Sequence, residues 1–260
     1  MSMRDEIAHV QRTYPMQSLT VNGHEWHWLD TSGPGPEVVL LHGSAADAFM
    51  FARTMVALGE RLRMVSVTIP AISDPAPFVE GLLHVLDRVD VKKTAMVGSS
   101  MGAYLAPHFA ARYPERVSAL LLGNGFVDSS DLTGPLFDRA YLEAVDEDTL
   151  HAEWTERIAA APDSDLKILQ QFMMSRKPPE ALKAHFLMVV RAKPCPPLSL
   201  SPKSITVLTC EDDPVISASA RRRAEAQFPG ARMVSMEAGG HYPHVLNPGP
   251  YQALLRSVCE

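Results

Sequence analysis

Six short apolar runs recur along the chain, at 38–41, 64–67, 94–97, 117–122, 205–208 and 233–236. Each is too short for a buried helix and fits a parallel strand covered on both faces. Helix-length stretches lie between most of them, at 46–61, 78–89, 101–113 and 217–228, and a last one follows at 250–259. Strand and helix in alternation predict an α/β fold, a mostly parallel sheet with helices on both faces. Ahead of these runs, 18–22 and 25–30 alternate between polar and apolar residues around Asn22-Gly23, a dipeptide that favours a tight hairpin turn. The hairpin brings the expected sheet to eight strands.

The rhythm breaks once. From 128 to 197 no strand-like run occurs, and the segment predicts three or four amphipathic helices punctuated by Pro162 and Pro178-Pro179. The expected organisation is a core of 1–127 and 198–260 with a helical cap, 128–197, inserted after strand six. Segments inserted at the carboxyl ends of strands commonly wall a pocket, although a stack of helices can also simply cover the sheet. Phe172, Met173, Met174, Phe186 and Met188 in the cap are candidates for an apolar, adaptable substrate pocket. The same helical spacing is equally that of a packing face.

Composition narrows the function classes. The 260 residues carry a net charge of −6, and 46% are apolar, enough for a sizeable core. No basic block points to nucleic acid, and Arg221-Arg222-Arg223 reads as the solvated face of a helix. The first fifteen residues are too polar for a signal-peptide core, and no stretch has the length of a membrane span. Cys195, Cys210 and Cys259 make neither a metal-ligand pattern nor a disulfide framework, which suits idle thiols in a cytoplasmic protein.

Chemistry concentrates in "MVGSSMGAYLA". Gly98-Ser99-Ser100-Met101-Gly102 matches G-x-S-x-G with Ser100 at its centre. In that motif a strand turns sharply into a helix through strained backbone, and the crowding at the turn requires the glycines. The serine oxygen then stands clear of the sheet at a helix N-terminus, where backbone N–H groups stabilise negative charge. Ser100 is therefore the candidate nucleophile and Ser99 its neighbour.

A serine hydroxyl needs a base. His241 in "EAGGHYPHVLNP" follows a strand and two glycines, so its loop can reach the sheet edge that carries Ser100; His244 competes with it. The base needs an acid to fix its tautomer. "TVLTCEDDPVI" runs from a strand into Glu211, Asp212 and Asp213, of which Asp213 directly precedes the proline turn. Asp212 is the next choice, and Asp128 after "LLLGNGFV" is a further position. "VVLLHGSAADAF" places His42-Gly43 after a strand, so the amides of Ser44 and Met101 are candidates for an oxyanion hole, with His42 as a structural support.

Ser100, Asp213 and His241 come in the chain order of α/β-hydrolase triads. With "LLHGS", "MVGSSMGAYLA", the cap, "CEDDPVI" and "GGHYPHVLNP" all in register, the chain resembles the α/β-hydrolase superfamily over nearly its full length. The short segment 68–93, without a glycine-rich D-x-R-G-x-G-x-S loop, and "GNGFVDSSD" are similar to the maspardin-like branch, whose members include binding proteins as well as hydrolases. Unlike maspardin, this chain keeps the histidine–glycine pair before the oxyanion loop and the histidine of "GGHYPH". The resemblance implies a serine hydrolase acting on a small-molecule ester, thioester or lactone, as a monomer or homodimer, with no cofactor or metal. A non-catalytic binding protein on the same scaffold is the alternative, and lyase or transferase chemistry a third.

Overall fold

Alternation along single strands explains how the sheet buries both faces. Val38 and Leu40 join one apolar cluster, Val39 and Leu41 the other, and all four are fully buried. Successive strand side chains point to opposite faces, so an unbroken apolar run is what a doubly covered strand requires. Fully burying each such side chain contributes on the order of 1.5–3 kcal/mol.

The computed structural model describes residues 1–132 and 134–259. Its elements are α1 (Met3–Thr13), β1 (Gln17–Val21), β2 (His24–Asp30), β3 (Glu37–Leu41), α2 (Ala52–Leu58), β4 (Arg63–Thr68), α3 (Pro75–Arg88), β5 (Thr94–Ser99), α4 (Met101–Arg112) and β6 (Val117–Gly123). After them come α5 (Arg139–Ala144), α6 (Glu147–Ala160), α7 (Asp165–Met174), α8 (Pro179–Val190), β7 (Ile205–Cys210), α9 (Ala218–Gln227), β8 (Arg232–Met236), α10 (Pro243–Leu246) and α11 (Pro248–Cys259). The eight strands form one sheet in the order β1-β2-β4-β3-β5-β6-β7-β8. β1 and β2 are antiparallel; β3 to β8 run parallel to one another. The expected α/β-hydrolase fold is present, with four helices, α5 to α8, between β6 and β7.

The hairpin turns on Asn22 and Gly23, whose φ values of 50° and 81° match a two-residue turn of the primed type. On one face α3 and α4 bring Phe78, Leu82, Leu105 and Phe109 to the sheet; on the other α1, α2 and α11 bring Ile7, Met55 and Leu255.

Three features depart from the sequence reading. The first turn of the chain is a helix: Ser2 and Asp5 form a capping box, and Met3, Ile7 and Val10 fall on its buried face. The expected helix over 46–61 is shorter, a 3₁₀ turn at Ala48–Phe51 leading into α2, because Asp47 caps the turn through the Phe49 amide. Arg221-Arg222-Arg223 is not simply a solvated face. Arg221 donates to Cys210 O and Ile216 O, and Arg223 pairs with Asp128 and Asp131 at 2.7 Å each. Asp128, the outlying candidate for the acid, is thus committed to joining the segment after β6 to α9.

The Arg223 hydrogen bonds, with help from Ser130, hold the Asp128 carboxyl down at about 2. Its folded value lies below its unfolded one, so the pairing stabilises the fold above about pH 4 and is lost as pH falls from there towards 2. Arg223→Gln is expected to lower stability near pH 7 by up to about 1 kcal/mol, to leave it unchanged near pH 2, and so to flatten that part of the acid-unfolding curve. Urea titrations between pH 2 and 7 read the difference directly.

Among the described residues no helix is long and apolar enough to cross a membrane. Burial at the end of β7 pushes the Cys210 thiol up to about 11, so it stays protonated.

Candidate active site

Five strands deliver their chemistry to one edge. β3 ends at His42-Gly43, β5 at Ser100, β6 at Asn124, β7 at the Asp212-Asp213 pair and β8 at the loop carrying His241. In open parallel sheets the carboxyl ends of the strands form such a crevice.

Ser100 sits at φ 54° and ψ −116°, between β5 and α4, and is half-buried. A non-glycine residue there is held by its surroundings at a cost of about 1–3 kcal/mol. The crowding is measurable at its flanks: a Cβ on Gly98 would lie 2.2 Å from Gly102 O, and one on Gly102 would lie 2.1 Å from Leu41 O. Across the crevice, a Cβ on Gly43 would approach the Ser100 Oγ to 3.9 Å, so the β3 loop passes beside the hydroxyl. The Ser100 amide donates to Gly123 O at 2.9 Å, which anchors the turn to β6. Met101 opens α4, so its N–H belongs to the first helical turn and has no acceptor within the helix.

The competing acids and bases separate by geometry. His241 Nδ1 lies 2.9 Å from Asp213 Oδ2. The other Asp213 oxygen accepts from the amides of Val215 at 2.7 Å and Ile216 at 3.1 Å, and the carboxyl group is fully buried. A histidine that donates through Nδ1 presents the lone pair of Nε2, the arrangement of a general base. Among the described residues no hydrogen bond joins His241 to the Ser100 hydroxyl; such bonds commonly close only around bound substrate. Asp212 is turned elsewhere and accepts from the amides of Gly239 at 3.2 Å and Gly240 at 2.8 Å, steadying the His241 loop. His244 is buried among Phe51, Tyr242 and Tyr251, and burial holds it down at about 3, so it is a neutral packing residue. His42 is likewise structural: Nδ1–H donates to Gly43 O and Nε2 accepts from the Ile69 amide.

Asn124 escaped the sequence reading. Its amide donates to Gly240 O at 2.9 Å and its carbonyl accepts from Cys210 N at 3.0 Å, so one buried side chain ties β6, the end of β7 and the histidine loop together. The local signal is "GNG", since asparagine tolerates the left-handed backbone it adopts here at φ 47°.

The apolar cap candidates do not share one wall. Met173 packs into the cluster of α1 and α2, Met188 into that of α3 and α4, and Phe186 into a cluster within the cap helices. Phe172 rests edge-on against Phe49, with ring centroids 5.0 Å apart. Helix packing claims these side chains, and a helical stripe reads the same whichever partner covers it.

Comparison with known proteins agrees with this architecture. The Klebsiella pneumoniae protein named "Putative carbamate hydrolase RutD" is 28% identical over 250 residues, spanning 86% of this chain and 91% of its own. Human maspardin is 23% identical over 261 residues, spanning 90% of this chain and 79% of its own. Among solved structures, a hydrolase from Pseudomonas aeruginosa PA01 superposes with a TM-score of 0.74 at 19% identity over 94% of this chain and 98% of that one. The enol-lactonase of Burkholderia xenovorans LB400 gives 0.72 at 17% identity over 93% and 99%. A family model described as "Alpha/beta hydrolase family" matches residues 38–251, the span from the first parallel strand through the histidine loop to α11, and the chain therefore belongs to the alpha/beta hydrolase family.

Proposed function

We infer that the protein is a serine hydrolase that cleaves a carboxylic ester, thioester or lactone through an acyl-enzyme. The observation that carries this reading is the 2.9 Å bond from His241 Nδ1 to the buried Asp213 carboxylate, at the same sheet edge as a strained serine. In the proposed reaction Ser100 Oγ attacks the carbonyl carbon while His241 Nε2 takes its proton. The amides of Ser44 and Met101 hold the developing oxyanion. The imidazolium, steadied by Asp213, returns the proton to the leaving oxygen or sulfur. A water molecule, deprotonated by the same imidazole, then releases the acid and restores Ser100. The relatives' names support this class: a carbamate and an enol-lactone both present an acyl carbonyl to a nucleophile.

A panel of p-nitrophenyl esters and small lactones, run on the parent and on Asp213→Asn, tests the reading. The substitution turns the histidine tautomer around and is expected to lower kcat by about 10⁴-fold with a small change in KM. A parent that turns over no member of the panel and takes no fluorophosphonate label would favour the binding-protein alternative that the maspardin likeness raises.

A further inference from the structure

The cap reaches into the loop that carries Ser44 through a buried amine. Lys177, between α7 and α8, is 5% exposed, and its Nζ donates to Ala46 O at 2.8 Å and to His185 Nδ1 at 3.1 Å. His185 on α8 is fully buried and donates through Nε2 to Pro70 O at 2.8 Å, and its Nδ1 lies 3.2 Å from Ser44 O. Its ring lies 5.7 Å from that of His42, which in turn accepts from the Ile69 amide. One connected set of polar groups from the cap thus grips both loops behind the candidate oxyanion hole, 43–47 after β3 and 69–70 after β4.

We propose that Lys177, acting with His185, is a positioning residue for the oxyanion loop, so that docking of the cap and the geometry of the Ser44 amide are one event. The inference rests on the serine-hydrolase reading and adds to it a residue that touches neither substrate nor the reacting atoms.

The proton inventory fits. Burial holds His185 neutral at about 3; with its one N–H on Nε2 given to Pro70 O, Nδ1 accepts from Lys177, and Ser44 O is its neighbour and receives no proton from it. Burial also lowers the Lys177 amine to about 7 and raises the Asp47 carboxyl. Ala46 O and His185 Nδ1 engage two of the amine's N–H groups. Asp47 and Arg176, 3.3 Å apart, are the charged groups facing it, and with Lys177 they line a cavity of about 540 Å³ whose other titratable walls are Glu180, His24, Glu25 and His27. A lysine lining such a space, with its amine turned inward onto two acceptors, serves the loop rather than the solvent.

Lys177→Met keeps the stem and removes the donors. It is expected to lower kcat on p-nitrophenyl butyrate by about 10–100-fold with KM shifted less than about threefold, the pattern of a misplaced catalytic group rather than a lost substrate contact. Lys177→Ala is expected to show the same loss and to regain rate with added n-propylamine. Hydrogen exchange of the Ala46, Ala48, Phe49 and Met50 amides should accelerate in both variants while that of β5 and β6 stays unchanged. Loss of kcat with faster exchange confined to this loop upholds the proposal; both variants within about twofold of the parent in kcat, with unaltered exchange, overturn it. If the parent has no acyl-transfer activity, the hydrolase reading fails separately. The cap–loop coupling is then decided by exchange alone: faster exchange upholds it and unchanged exchange refutes it.

Discussion

Ser100→Ala is expected to abolish covalent labelling by a fluorophosphonate and to reduce ester hydrolysis by about 10⁴–10⁶-fold, leaving a folded protein. The size follows from the step removed: without the hydroxyl no acyl-enzyme forms, and only binding and oxyanion stabilisation remain to assist attack by water. The backbone makes the experiment sharper. Ser100 holds φ 54°, and alanine inherits the same strain, so the parent and Ser100→Ala should unfold at nearly the same temperature. Ser100→Gly should be equally inactive yet more stable by about 1 kcal/mol, since glycine adopts that conformation readily. An inactive variant with raised stability would mark the elbow as strain maintained for chemistry. Hydrolysis by Ser100→Ala at the parental rate would remove Ser100 from the reaction.

The second large effect falls on folding. Gly102→Ala would place a methyl group 2.1 Å from Leu41 O and 2.6 Å from Leu41 C, both backbone atoms of the central strand β3. Gly98→Ala would drive into the Gly102 carbonyl at 2.2 Å. Neither obstacle can rotate away, because each belongs to a fully covered strand or to the helix that starts on it. Alanine is the better helix former by about 1 kcal/mol, and that preference is overridden here. A loss of about 3–5 kcal/mol is expected for either variant, a large fraction of the roughly 5–15 kcal/mol that stabilises a typical domain. Gly249→Ala provides the contrast: it lies in the first turn of α11, where the added carbon meets no atom within 4 Å apart from its two neighbours, so it should cost no more than about 1 kcal/mol, the crowding of a Cβ against the following Pro250 offsetting the helix preference of alanine. Chemical denaturation of the three variants separates a general dislike of glycine replacement from a collision at the elbow. Equal stability for all three would mean that strand and helix yield to an added methyl group at both elbow positions.

Much of the site was legible in the chain because it is local. The G-x-S-x-G turn brings its own strand, its helix and the close approach of Gly98 to Gly102 within five residues, although the neighbour that crowds Gly102 is Leu41 of β3. His42, Asp213 and His241 each stand at the end of an apolar run, so parallel strands alone carry them to a common edge. Legibility fell away where two equivalent side chains sit in one loop. Asp212 and Asp213 are adjacent, yet one accepts from glycine amides and the other from the His241 ring, a choice made by partners 27 and 28 residues further along. His241 and His244 differ in the same way, one facing a carboxylate and the other walled in by aromatic rings. The apolar residues of the cap were recognisable as faces but not as faces of any particular neighbour. Arg223 looked like a surface charge and Lys177 carried no signal at all, because a sequence does not report which acceptors come to meet a side chain.

The primary structure by itself determined the order in which the strands carry the chemistry, the elbow and the demand for glycine at 98, since each follows from hydrophobic period and backbone sterics over a few residues. Tertiary packing decided which acid meets the imidazole, which histidine is left to the core, and that a cap lysine bonds to the loop after β3. Those outcomes depend on hydrogen bonds between groups far apart in the chain, whose directions exist only after the sheet and its insertion have come together.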